Sequence, residues 1–138
     1  MSPIRFLTIA AAAIVGLIGV GPAVAHHSTA AFDTSQVVKI EGTITQFRWI
    51  NPHASIKIDG GAGKGLWTIE MTAPNVLIND GWTRDALQVG DKVTIYANPL
   101  RNAVTLNDGS TGGLYVGVVL ANGSTLGRTD GKGAGTSN

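Results

Sequence analysis

The apolar pattern over residues 37–49 changes phase partway along. Val38, Ile40 and Ile44 fall on one parity, with Gly42 between them, while Phe47 and Trp49 fall on the other. Successive side chains of a strand point to opposite faces of a sheet. Turning all five large side chains to one core therefore needs a bulge or sharp coil between Ile44 and Phe47. Gly42 lets the strand bend where no side chain must be packed. A strand this long and this bent can serve two sheets at once.

The rest of the chain fits that strand into an all-β domain. Glycine clusters at Gly60-Gly61, Gly63, Gly65 and Gly112-Gly113 separate short runs rich in Val, Ile and Thr. A second strand is expected over 54–59, with Ile56 and Ile58 inward. A third has Trp67, Ile69 and Met71 inward. The period then changes: Thr72 as cap, Pro74 in the first turn and Val76, Leu77 and Ile78 as apolar side predict a short helix ended by Gly81. One further turn is expected over 83–87. A fourth strand follows over 92–97, a loop over 98–113 and a fifth strand over 114–120. Asn122-Gly123 is a hairpin signal, with a short strand over 124–126. This order predicts a five-stranded OB-like barrel with one short helix between strands three and four. A small open sandwich of the same strands is the alternative.

The first 25 residues have the pattern of a secretory signal peptide. Arg5 supplies a positive start, residues 6–20 are apolar, Gly21-Pro22 breaks the run, and Ala23-Val24-Ala25 is a small-x-small cleavage site. The apolar run is shorter than the roughly 20 residues needed to span a bilayer, so no stable membrane insertion is expected after cleavage. The expected organisation is signal peptide 1–25, N-terminal arm 26–36, barrel 37–126 and disordered tail 127–138. A periplasmic or secreted location follows. A mature chain of roughly 110 residues can bury about 60–70% of its unfolded surface, enough for an unstapled domain.

Charge and cysteine content exclude several functions. The chain has ten basic and nine acidic residues, and loss of Arg5 leaves it formally neutral. A neutral chain without Lys/Arg clusters is a poor nucleic-acid binder, so none is expected as partner. With no cysteine there is no disulfide, thiol nucleophile or iron–sulfur cluster. The Gly60–Gly65 segment is not a phosphate loop: its spacing is wrong, Gly65 stands where Ser/Thr belongs, and a strand follows it. Asn122-Gly123-Ser124 is explained as a hairpin rather than a glycosylation acceptor. No catalytic constellation emerges, Ser28 beside His27 being a neighbour pair rather than a triad. Most carboxylates are expected in solvent. Asp33 is expected to accept a nearby backbone hydrogen bond, and Glu70 is the carboxylate to watch in a cleft. Trp49 and Trp67 share parity with apolar strand faces and are expected in the core; Trp82 is expected as a lid on the barrel end.

The histidines carry the remaining chemistry. There are three, His26, His27 and His53. Cleavage after Ala25 frees the α-amine of His26 beside its own imidazole, a chelate for one metal ion. A second imidazole, for which His53 is the distant candidate, completes a three-nitrogen set suited to Cu(II). Cleavage one residue earlier puts a histidine third, and an amine, two amides and an imidazole suit square-planar Cu(II) or Ni(II). The expected metal residues are thus His26 and His53, with His27 auxiliary, and copper is the expected ion. The plainer alternative makes the first two a linker and gives His53 a turn or carbonyl hydrogen bond. Distance also opposes a joint site. Strand one spans up to about 43 Å at ~3.3 Å per residue, and the arm reaches about 36 Å. The arm returns to His53 only if it is nearly extended and the strand is bent.

Several of these residues also occur together in a known family. They are His26-His27-Ser28 with Phe32-Asp33, Gly42-Thr43, the segment Phe47-Arg48-Trp49-Ile50-Asn51-Pro52-His53, Trp67-Thr68-Ile69-Glu70, Pro74, Leu77, Gly81-Trp82 and Leu87-Gln88-Val89-Gly90-Asp91-Lys92-Val93. The chain resembles a family of small exported bacterial proteins classed as a domain of unknown function, over about residues 26–126. The resemblance implies a periplasmic or secreted setting and transfers no activity. Residues 101–112 look less typical of it. The expected function is a non-enzymatic exported module binding a metal ion or small ligand. The alternatives are a copper-dependent oxidoreductase using an N-terminal histidine, and a structural or stress-related module without a small ligand.

Overall fold

The computed structural model describes residues 29–133. A single 3-10 turn, Thr29–Ala31, precedes strands β1 (Val38–Arg48), β2 (Ser55–Asp59) and β3 (Leu66–Glu70). Helix α1 (Pro74–Asn79) leads to β4 (Lys92–Pro99), β5 (Thr111–Val119) and β6 (Thr125–Gly127). The sheet order is β3-β2-β1-β4-β5-β6, and a further β3–β5 pairing closes the first five strands into a barrel. All pairings are antiparallel except β3–β5, which is parallel. This is the expected OB-like barrel with its helix between β3 and β4. Among the described residues no helix is long and apolar enough to cross a membrane.

β1 does what its phase change requires. Its first half, from Val38 to Thr43, pairs with β4, and its second half, from Thr43 to Arg48, pairs with β2. The register against β2 slips between Ile44 and Gln46, so Thr45 is the extra residue. The slip lies within the interval the parity change marks. It lets Ile40 and Ile44 be fully buried while Phe47 and Trp49 still pack on the same core. Gly42 sits where β1 passes the end of β2. A Cβ there would lie 2.2 Å from the Asp59 carbonyl oxygen and 2.9 Å from Ile58 Cγ1, so close approach as well as bending demands glycine.

Ile56 and Ile58 of β2, Ile69 of β3, Val93, Ile95 and Ala97 of β4 and Val118 of β5 fill the barrel, with Met71 and Leu77 nearby. Several boundaries differ from the sequence reading, among them β4, which runs to Pro99 rather than 97. The helix cap is Ala73, extended at φ −67° and ψ 148°, with no side-chain cap. Thr72 does not cap because its carbonyl accepts from Ala54 N (3.1 Å), so it still belongs to the β2–β3 ladder. The fifth strand begins at Thr111 rather than 114, because Thr111, Gly112 and Gly113 pair with Trp67, Thr68 and Ile69. Gly81 ends α1 as expected, at φ +87°, with Gly81 N donating to Ile78 O and Trp82 N to Leu77 O. Asn122-Gly123 joins β5 to β6. Beyond β6, Arg128 N still donates to Val116 O at 2.9 Å.

Candidate functional site

His53 lies in the β1–β2 loop, after a cis Asn51–Pro52 bond. The β2–β3 ladder continues past its last strand pair: Ala54 N donates to Thr72 O and Met71 N to Ala54 O (3.0 Å). Buried Ala54, the residue after His53, is thus anchored to the ladder, and the imidazole falls beside the Met71 carbonyl, with Nδ1 3.1 Å from its oxygen. A carbonyl only accepts, so Nδ1 carries the proton and Nε2 keeps the lone pair of the neutral ring. This is the carbonyl hydrogen bond of the plainer reading, and it occupies one ring nitrogen only. Glu70 Oε1 stands 4.0 Å from Nδ1. The His53 side chain is 43% exposed and that of Glu70 26%, so the imidazole can meet a ligand while the carboxylate is largely sheltered.

The arm reaches this place by a route the sequence did not suggest. Phe32 is buried and forms an antiparallel bridge with Leu100. Asp33 N donates to Pro99 O at 2.8 Å and Arg101 N to Ala31 O at 3.0 Å, which fixes the arm along the end of β4. Arg101 Nε donates to Ala30 O at 3.0 Å. Asp33 accepts from the Ser35 amide and hydroxyl and from Gln36 Nε2, as its position predicted. The Ser35 hydroxyl is the main cause holding its carboxyl below the usual carboxylate range. The result is a cavity of about 120 Å³ walled by Thr29, Phe32, His53, Glu70 and Leu114. The bent strand and docked arm therefore overcome the distance argument as far as Thr29. His26 and His27 lie outside the described residues. Among the described residues no three His, Cys, Asp or Glu side chains gather as a metal-binding group.

The β4–β5 loop forms a second wall. Leu106 N donates to Ser110 O, and Thr105 bridges Thr111. Lys57 Nζ donates to Asp108 Oδ2 at 2.5 Å. Asp108 Oδ1 accepts from the Ser110 amide (3.1 Å) and hydroxyl (2.6 Å). Ser110 Oγ also lies 2.7 Å from Thr68 Oγ1. This chain of bonds latches the loop across the outer face of β2 and β3. The Lys57 ammonium, then Ser110, hold the Asp108 carboxyl well below the usual range. Beneath the loop is a cavity of about 230 Å³ that shares Phe32 and Glu70 with the first. The latch was not legible in the sequence, because Lys57 and Asp108 are far apart in the chain.

The tryptophans are structural. Trp49 and Trp67 pack against the core, and Trp67 Nε1 donates to Lys64 O at 3.0 Å. Trp82, expected as a lid, is 1% exposed and belongs to the core itself. Its ring lies 5.9 Å from Phe47 and 5.3 Å from Tyr115, the latter edge-on. Its buried Nε1 has no hydrogen-bond partner. Tyr115 donates to Leu126 O at 2.8 Å. Burial pushes its phenol up, and the nearby Trp82 indole opposes that shift.

No curated protein and no solved structure matches the chain. A family profile matches residues 15–113, a span that holds both cavity-lining histidine loop and docked arm. The chain therefore belongs to the DUF6152 family, a family of unknown function.

Proposed function

We propose that the mature protein is an exported, non-enzymatic binding module that takes a transition metal, copper first. The ligands would be His53 and the α-amine and imidazole of His26, with His27 as auxiliary donor. One observation carries the reading: Thr29 and His53 line the same cavity. Thr29 is three residue steps along the chain from His26, a reach of up to about 11 Å. The amine and its imidazole are therefore within chain length of the loop histidine. The Nδ1–Met71 bond supports it too, since metal-binding histidines commonly give their second ring N–H to a carbonyl or carboxylate. The bound nitrogen would be Nε2. Two imidazoles and an amine suit Cu(II) better than hard cations, which prefer oxygen.

The test is Cu(II) titration of three metal-stripped forms: the native His26 terminus, a form with one alanine added before it, and His53→Ala. The alanine turns the amine into an amide and removes the chelate. Both changes should weaken binding by roughly tenfold or more, a loss that even outer-shell changes can produce. Binding hurt by the extension but not by His53→Ala would mean that the arm chelates alone, and the folded site would fail. Equal, weak binding by all three would favour a structural module.

A further inference from the structure

Glu70 stands where the two cavities meet. The larger, about 230 Å³, runs under the latched loop and is walled by Phe32, Leu100, Leu106 and Gly113. Its polar lining is Thr68 and Glu70. Thr68 is engaged with Ser110 at 2.7 Å. Glu70 is not so engaged: its near neighbour is His53 Nδ1, at 4.0 Å, beyond hydrogen-bond distance. Two cations near the groove, Lys57 and Arg101, already have partners. Lys57 is bound to Asp108, and Arg101 to the Ala30 carbonyl, with Asp33 at 3.9 Å. Glu70 faces these apolar walls with 26% of its side chain exposed, so a cation seated between them would meet a hydrogen-bond acceptor.

We propose that this groove binds a small organic ammonium ion. Its apolar body would lie between Phe32, Leu100 and Leu106, and its N–H groups would donate to Glu70. A single carboxylate is too few oxygens for a hard metal cation, which takes six or more ligands. A neutral ligand would lack the charge-assisted bond that an ammonium can donate to a carboxylate. Size agrees: an apolar cavity of about 150 Å³ holds benzene, so this one has room for a ring with an aminomethyl arm. The latch through Lys57, Asp108, Ser110 and Thr68 holds the loop wall in place beforehand, which lowers the entropy lost on binding. The inference stands apart from the metal reading, since it uses metal-free protein and neither His26 nor His53 as ligand.

The experiment is an amide-resolved NMR titration of chelator-treated mature protein at neutral pH. Benzylammonium chloride is the probe and benzyl alcohol its uncharged twin. Saturable shifts are expected at Phe32, Glu70, Leu106 and Gly113. The ammonium should bind roughly tenfold more tightly than the alcohol, about the least that a hydrogen bond to a charged group contributes. Glu70→Gln should bring the ammonium down to the alcohol's affinity. Equal binding of the two probes by the native protein would overturn the proposal. So would shifts that never saturate, or full ammonium affinity in Glu70→Gln. None of these results depends on whether copper binds.

Discussion

Ile69 shows how much one side chain can report on the barrel. It is fully buried, pairs with Ile56 across the antiparallel ladder and with Gly113 across the parallel one. Truncating it removes apolar contacts at the seam that closes the sheet. Ile69→Ala should therefore cost about 2–5 kcal/mol in urea unfolding, the range for a large buried aliphatic. A change within about 0.5 kcal/mol, usual for surface sites, would contradict the β3 register. The parity of Ile69 with Trp67 and Met71 was enough to assign it inward from the sequence. The same logic failed for Trp82. Outside a strand it has no parity, and only the packing of Phe47 and Tyr115 around it shows that it is core.

At the scale of elements, the β4–β5 loop is the segment most open to test. It is held from outside by the Lys57–Asp108 pair and from within by the Ser110–Thr68 contact. Asp108→Ala removes the ion pair and both bonds that Ser110 donates to the carboxylate, so the Ser110 and Leu106 amides should exchange faster. Amides of β1 and β4 should keep their protection. Unchanged exchange at Ser110 would mean the latch does not hold the loop. The pH dependence has a definite sign. Asp108 has a folded pKa lowered by Lys57 and Ser110. Its contribution is therefore present above the unfolded value, about 3.9, and is lost as pH falls through the folded one. The latch should stay closed from neutral pH down to about pH 4 and open only below it. Neither partner was legible beforehand. Lys57 is a plain outward strand residue and Asp108 a plain loop carboxylate until β2 and the loop come together.

For the molecule as a whole, export is the expectation on which the metal reading depends. The Arg5, apolar 6–20 and Ala23-Val24-Ala25 pattern predicts that protein recovered from its native host begins at His26. N-terminal sequencing checks this, and a retained Met1 would remove both the periplasmic setting and the amine ligand. By itself the sequence determined the strand faces, the bulge near Thr45, the helix between β3 and β4 and the β5–β6 hairpin. Each is written in the parity, period or turn chemistry of neighbouring residues. Tertiary structure alone decided where β5 begins. Gly112 and Gly113 have no side chains to carry parity, yet they are buried so tightly that a Cβ on Gly112 would lie 2.6 Å from Leu100 Cδ1. It also decided that the arm docks through Phe32 on Leu100 and that Thr29, His53 and Glu70 share one cavity. Those contacts join segments far apart in the chain, and their geometry is set by barrel closure, which no local pattern encodes.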